Sequence, residues 1–168
     1  GILESIEKEI ERLIQDYGND VLRIAYMYLK DRHLAEDAFQ EVFIRVYHKW
    51  NTFRKESSEK TWIMKIAINV CKDMLKSYWH RNVSFYEFED IYKISNSTND
   101  VEIEMEKKSL LESVLRLPDK YKDVILLYYY QGFSVQEIAQ ILDTTVGNVT
   151  SLLSRARKLL KESLEVIE

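Results

Sequence analysis

Five side chains near the C-terminus, Thr150, Ser151, Ser154, Arg155 and Lys158, fall at i, i+1, i+4, i+5 and i+8. On a helix with 3.6 residues per turn that spacing makes one face. Arginine can bond a guanine edge bidentately, and short hydroxyl side chains let a helix approach base edges closely. The stretch Thr144 to Lys161 adds Arg157 and Lys161 and contains no acid, although the whole chain carries a net charge of -4. A carboxylate there would repel phosphate, whereas each Lys or Arg that neutralises a phosphate releases counterions and raises affinity. The chemistry this pattern suits is recognition of a DNA major groove. A solvated basic face on an ordinary packed helix is the alternative.

The elements that must position this face can be read upstream. Val146, Val149, Leu152, Leu153, Ala156 and Leu160 are the predicted buried stripe of the same helix. Ser134 and Glu137, three apart at the head of an apolar run, form a capping box that opens a short helix through Leu142. Asp143 to Thr145 is the turn, Thr145 the next cap, and Ala139 the expected crossing point, which together predict a helix-turn-helix. Before it, Pro118 suits a first helical turn, and a helix from Tyr121 to Gln131 ends at Gly132. The run Tyr128 to Tyr130 is assigned to core and helix surface, with no role in base stacking.

The N-terminal half offers a second set of candidates. Ile6, Ile10, Leu13, Ile14 and Tyr17 predict one helix, and after Gly18 a second carries Val21, Leu22, Ala25 and Leu29. A third, Leu34 to Trp50, has a core stripe of Ala35, Ala38, Phe39, Val42, Phe43, Val46, Tyr47 and Trp50. Its Asp37, Gln40, Glu41 and Ile44 share an exposed face, and a large apolar residue among acids marks a partner surface. Ser57 or Ser58 is expected to cap a last helix packed through Trp62, Ile63, Ile66, Ala67, Val70, Met74 and Leu75. The polar loop Phe53 to Trp62 is framed by aromatics, and Lys65, Asn69, Lys72 and Lys76 follow on one stripe. A basic groove with aromatic walls suits single-stranded nucleic acid, although taken by itself Trp62 reads more naturally as a core residue.

Composition limits the alternatives. Only four Gly and one Pro in 168 residues leave too few turn formers for a sheet-rich fold, which favours helices. The acids Glu4, Glu7, Glu9 and Glu11 interrupt any secretory leader, and no apolar run suffices for a bilayer, so a cytoplasmic protein is expected. The single Cys71 is read as a buried thiol. His33, His48 and His80 lack metal-ligand spacing, and no phosphate loop or catalytic set is present, so neither metal, cofactor nor enzymatic activity is expected. From Phe53 to Asn82, seven basic residues face three acids; from Val83 to Ser109 the ratio inverts. The small polar run Ser95 to Asp100 inside the acidic zone is a linker signal. The expected architecture is all-α: two small helical domains, 1–82 and 109–168, joined by a flexible acidic linker, 83–108, with the helix-turn-helix in the second.

The stretches "AEDAFQEVFIRVY", "FRKESSEKTWIMKIAINVCKDML", "LPDKYKDVILLYYYQGFSVQEIAQIL" and "VGNVTSLLSRARKLLK" resemble, in order and spacing, bacterial sigma factors of the extracytoplasmic-function class. The resemblance implies a subunit that directs core RNA polymerase to promoter DNA, with no small-molecule substrate. It also implies control by an anti-sigma factor, often membrane-associated. Region 2 of such proteins docks on a polymerase coiled coil, which implies that role for Asp37, Gln40, Glu41 and Ile44, with Phe43 supporting the face from inside. A base flipped from the minus-ten element would lie in the loop Phe53 to Trp62, Lys60 included, with Lys65, Asn69 and Lys72 on the adjoining DNA. Region 4 would set Asn148, Thr150, Ser151, Ser154, Arg155 and Lys158 in the minus-thirty-five groove. The family often has "FRGES" where this chain has "FRKES", and a basic residue where Thr150 stands. The acidic linker would then line a polymerase channel or block DNA binding in the absence of polymerase. A stand-alone helix-turn-helix regulator binding an operator as a dimer is the runner-up, and a helical adaptor with solvated basic patches is the third class.

Overall fold

The structure is a computed structural model that describes residues 1–79 and 101–167, with side chains placed over 1–77 and 108–164. It divides into two compact units, Gly1–Ile91 and Tyr92–Glu168. Among the described residues every regular element is helical.

The first unit is three helices: α1 (Ile2–Leu29), α2 (Arg32–Lys49) and α3 (Glu59–Trp79). The predicted break at Gly18 is absent, and α1 runs through it as one helix. Gly18 is there for space. A Cβ would come within 3.3 Å of the Phe39 ring on α2, so the missing side chain allows that ring to close on α1. The α1–α2 connection is short because both ends are locally satisfied. Lys30 takes the left-handed conformation (φ 57°) and donates its N–H to the Tyr26 carbonyl, and Asp31 caps α2 by accepting from Leu34 N at 2.9 Å. Ser58, one of the two expected caps, opens α3 by accepting from Thr61 N at 3.1 Å. The core is Leu13, Val21, Ile24 and Met27 of α1, Ala35, Ala38, Val42 and Val46 of α2, and Ile63, Ala67, Val70 and Cys71 of α3, all buried.

The second unit holds α4 (Val101–Leu115), α5 (Asp119–Ile125), α6 (Val135–Ile141) and α7 (Val146–Ile167). Helix α4 begins earlier than expected, so 101–108 of the anticipated linker is helical; Ser95–Asp100 lies outside the described residues. The chain leaves α5 through a π turn, Leu126–Tyr130, that closes with Gln131 N donating to the Leu126 carbonyl at 3.0 Å. Gly132 ends it at φ +74°, a conformation that a side chain resists. The expected helix to Gln131 is therefore present but wound one residue wider in its last turn. The capping box at α6 is fully made: Glu137 N donates to Ser134 Oγ at 3.1 Å and Ser134 N to Glu137 Oε1 at 2.9 Å. At the other end Asp143 is left-handed (φ 53°), and Thr144 N donates to the Ala139 carbonyl, a Schellman closure.

Candidate nucleic-acid interface

Thr145 caps α7 as expected, accepting from Asn148 N at 3.1 Å, while the Asn148 amide donates to Thr144 Oγ1 at 2.9 Å. Asn148 thus helps hold the turn as well as lying on the outer face. Val149, Leu152, Leu153, Ala156 and Leu160 are buried against the unit. Val146 is not: it is 40% exposed, because it is the first helical residue and the buried stripe starts one turn later. On the other side Thr150, Ser154, Arg155 and Lys158 are exposed and Ser151 is half-buried. The Thr150 hydroxyl donates to the Gly147 carbonyl at 2.9 Å, which leaves its oxygen free to accept.

In the first unit the loop between α2 and α3 is built on rings. A 3₁₀ turn, Trp50–Thr52, delivers Phe53 onto Trp62, with ring centroids 4.9 Å apart and planes at 28°. Trp50 lies 5.7 Å from Phe53 and 6.0 Å from Trp62. Trp62 is half-buried rather than a core residue, so the pattern that suggested core placement located the right face but not the depth. Lys65 and Lys72 are half-buried and Asn69 and Lys76 exposed along the outward stripe of α3. Lys60 is paired with Asp20 Oδ2 at 3.6 Å.

The last group lies on α2. Ile44 is 50% exposed, with Asp37 and Gln40 exposed beside it and Glu41 half-buried, while Phe43 is 6% exposed and packs inward against Phe39 at 5.0 Å. Glu41 accepts from Arg45 Nε at 3.0 Å, and Arg45 reaches Asp73 of α3 at 3.6 Å.

Residues 13–81 match the model of Sigma-70 region 2, and residues 107–160 match that of Sigma-70 region 4. Among curated proteins the chain is 31% identical to the ECF RNA polymerase sigma factor SigM of Bacillus subtilis, over 90% of this chain and 93% of that protein. It is 30% identical to the ECF RNA polymerase sigma-E factor of Haemophilus influenzae, over 95% of this chain and 89% of that protein. The chain belongs to the ECF family of RNA polymerase sigma factors. Two solved structures share the fold of this sigma factor, each with a TM-score of 0.73. One is the sigma factor RpoE with the anti-sigma factor NepR from Bartonella quintana, 20% identical, covering 96% of this chain and 99% of that one. The other is CnrH with the cytosolic domain of CnrY, 18% identical, covering 96% and 91%.

Within this sigma factor, two arrangements escaped the sequence reading. In region 4, Arg157 Nε donates to Tyr129 Oη at 2.6 Å, and its guanidinium lies over the Tyr128 and Tyr129 rings at 5.9 and 5.6 Å. Arg157 is therefore tied to the π turn, and the tyrosine run braces α7 without entering the core, since Tyr129 is exposed and Tyr128 and Tyr130 are half-buried; burial pushes the Tyr130 hydroxyl up to about 12. In region 2, Glu59 sits between Arg12 and Tyr17 of α1. The Arg12 hydrogen bond holds the Glu59 carboxyl below the usual carboxylate range, against the opposing effect of burial. Neither pairing has a sequence signal, since the partners lie 28 and 47 positions apart. No group of three or more His, Cys, Asp or Glu that could hold a metal occurs among the described residues. None of the described helices is long and apolar enough to cross a membrane.

Proposed function

We propose that this ECF sigma factor brings core RNA polymerase to promoters by holding three surfaces at once. Asp37, Gln40, Glu41 and Ile44 dock on the polymerase. The loop Phe53 to Ser58 and the first turn of α3 through Trp62, with Lys60, Lys65, Asn69 and Lys72, hold unpaired bases of the minus-ten element. Asn148, Thr150, Ser151, Ser154, Arg155 and Lys158 read the minus-thirty-five duplex. The domain division is 1–82 for region 2 and 109–168 for region 4, with 83–108 as the acidic tether. The single observation that supports this reading best is the division of α7, which buries five apolar residues and turns hydroxyls and cations outward.

The mechanism is trapping, without catalysis or cofactor. Taking one base out of the stack costs on the order of a few kcal/mol, which contacts in the loop must offset. Charge in the minus-thirty-five contact and polymerase docking keep the loop in register while that happens. The protein acts in the cytoplasm. The complexes of RpoE with NepR and of CnrH with CnrY support an anti-sigma factor as a further partner here, membrane-associated on the family pattern.

Run-off transcription with core polymerase tests the assignment. Arg155→Ala is expected to lower transcription about 10- to 100-fold, the worth of one bidentate base contact. Asp37→Ala is expected to weaken polymerase association in a pull-down while leaving duplex binding intact. Full activity in both variants would mean that the two faces are misassigned, and specific duplex binding with no need of polymerase would favour a stand-alone regulator.

A further inference from the structure

The loop Phe53 to Ser58 is fixed at both ends. At its start Phe53 stacks on Trp62. At its end Ser58 caps α3, and the very next residue is gripped from α1. Arg12 Nη2 donates to Glu59 Oε2 at 2.7 Å and Nη1 to Oε1 at 3.1 Å, while Tyr17 Oη donates to Oε1 at 3.1 Å. The other edge of the guanidinium is held by Glu9, which accepts from Nε at 3.2 Å and Nη2 at 2.9 Å. One residue further on, Lys60 pairs with Asp20 at 3.6 Å, and Asp20 also accepts from Arg23 at 3.2 Å. Helix α1 thus meets two successive residues of the first turn of α3 with opposite charges.

Isolated ion pairs at a surface contribute little, but a two-pronged arginine fork fixed on both edges has geometric specificity. That suits a loop whose task is to be in one conformation before its ligand arrives, since preorganisation removes an ordering cost from binding. We infer that Arg12 and Glu59 are positioning residues of the loop that holds the minus-ten strand. The inference rests on the loop assignment under Proposed function.

The test uses the full chain with core polymerase and a dye-labelled single strand carrying the minus-ten element of a promoter that the wild type transcribes. Glu59→Gln and Arg12→Met are each expected to weaken binding of that strand about tenfold, the scale of ordering a few side chains. The double variant should lose no more than either single one, and Arg12→Lys should keep part of the affinity. The sign of the Glu59→Gln effect is diagnostic. Were charge alone at work, removing an acid would tighten binding to a phosphate chain and removing Arg12 would loosen it. Polymerase association should be unchanged in all of them, and the thermal midpoint should fall by only a few degrees, leaving the protein folded at the assay temperature; loss of polymerase association or of the folded population at that temperature would show general unfolding and overturn the positioning role. Phe53→Ala separates the two levels. If it loses the strand while both clamp variants keep it, the inference is wrong and the loop assignment stands. If Phe53→Ala binds normally, the loop assignment fails and the inference with it.

Discussion

Helix α7 and the loop Phe53 to Ser58 present DNA-suited side chains on very different supports. Thr145, Asn148 and Thr144 set the start of α7 through bonds spanning three or four residues, and its buried stripe lies on the helix itself. The loop depends on Trp62 and on Arg12, the latter 47 positions from its partner Glu59. On α7, then, the proposed base-reading side chains apart from Asn148 are distinct from those that make the fold. In region 2 the two sets overlap, because Phe53 and Trp62, the proposed platform, are also the loop's support.

The contrast predicts different mutational behaviour. Trp62→Ala removes a half-buried indole that contacts two other rings, and should cost about 2 kcal/mol in urea unfolding together with most of the minus-ten binding. Arg155→Ala, at an exposed position without a partner in the fold's core, should change stability by less than about 0.5 kcal/mol while reducing minus-thirty-five binding. Equal stability losses in the two variants would erase the distinction.

Ser134→Ala sharpens the comparison inside region 4. Loss of a side-chain cap costs about 1 kcal/mol, while the reciprocal bond, in which the backbone N–H of residue 134 donates to Glu137 Oε1, survives in alanine. Faster amide exchange should follow in α6, the first helix of the helix-turn-helix. Slowed transcription in proportion to that opening would show that α7 depends on its neighbour's cap; unchanged exchange at Glu137 would show that packing of Ile138 and Ile141 holds α6 without it.

The same contrast explains which parts of the structure were legible in the sequence. Caps and capping boxes are relations over three residues, so Ser134 with Glu137, Thr145 and the outward face of α7 could all be read before the fold was known. The exposure of Ile44 beside a buried Phe43 followed from helical periodicity alone. Gly18 misled because a glycine that makes room for a ring looks, in sequence, like one that ends a helix. The π turn was invisible for a similar reason, since a single widened turn leaves the apolar pattern around it intact. The Arg12–Glu59 fork and the Arg157–Tyr129 bond are tertiary, and charged residues on a solvated face give no sign of which distant partner they will meet.

The smallest expected effect concerns Lys55. It sits in the left-handed region at φ 60°, the conformation that favours glycine. An L side chain there costs about 1–2 kcal/mol, part of which is recovered because a lysine restricts the unfolded chain more than a glycine does. Lys55→Gly should therefore stabilise the protein by about 0.5 kcal/mol. Lys55→Ala removes the same charge and keeps the backbone strain, so the difference between the two variants in urea midpoint isolates the backbone. The charge itself has a separate readout. If Lys55 meets a phosphate of the minus-ten strand, both variants should lower the salt slope of single-strand binding by about 0.7, and by equal amounts. A glycine variant no more stable than the alanine one would mean that the loop in solution does not hold Lys55 left-handed. The rigid delivery of Phe53 onto Trp62 would then have to come from the aromatic contacts alone.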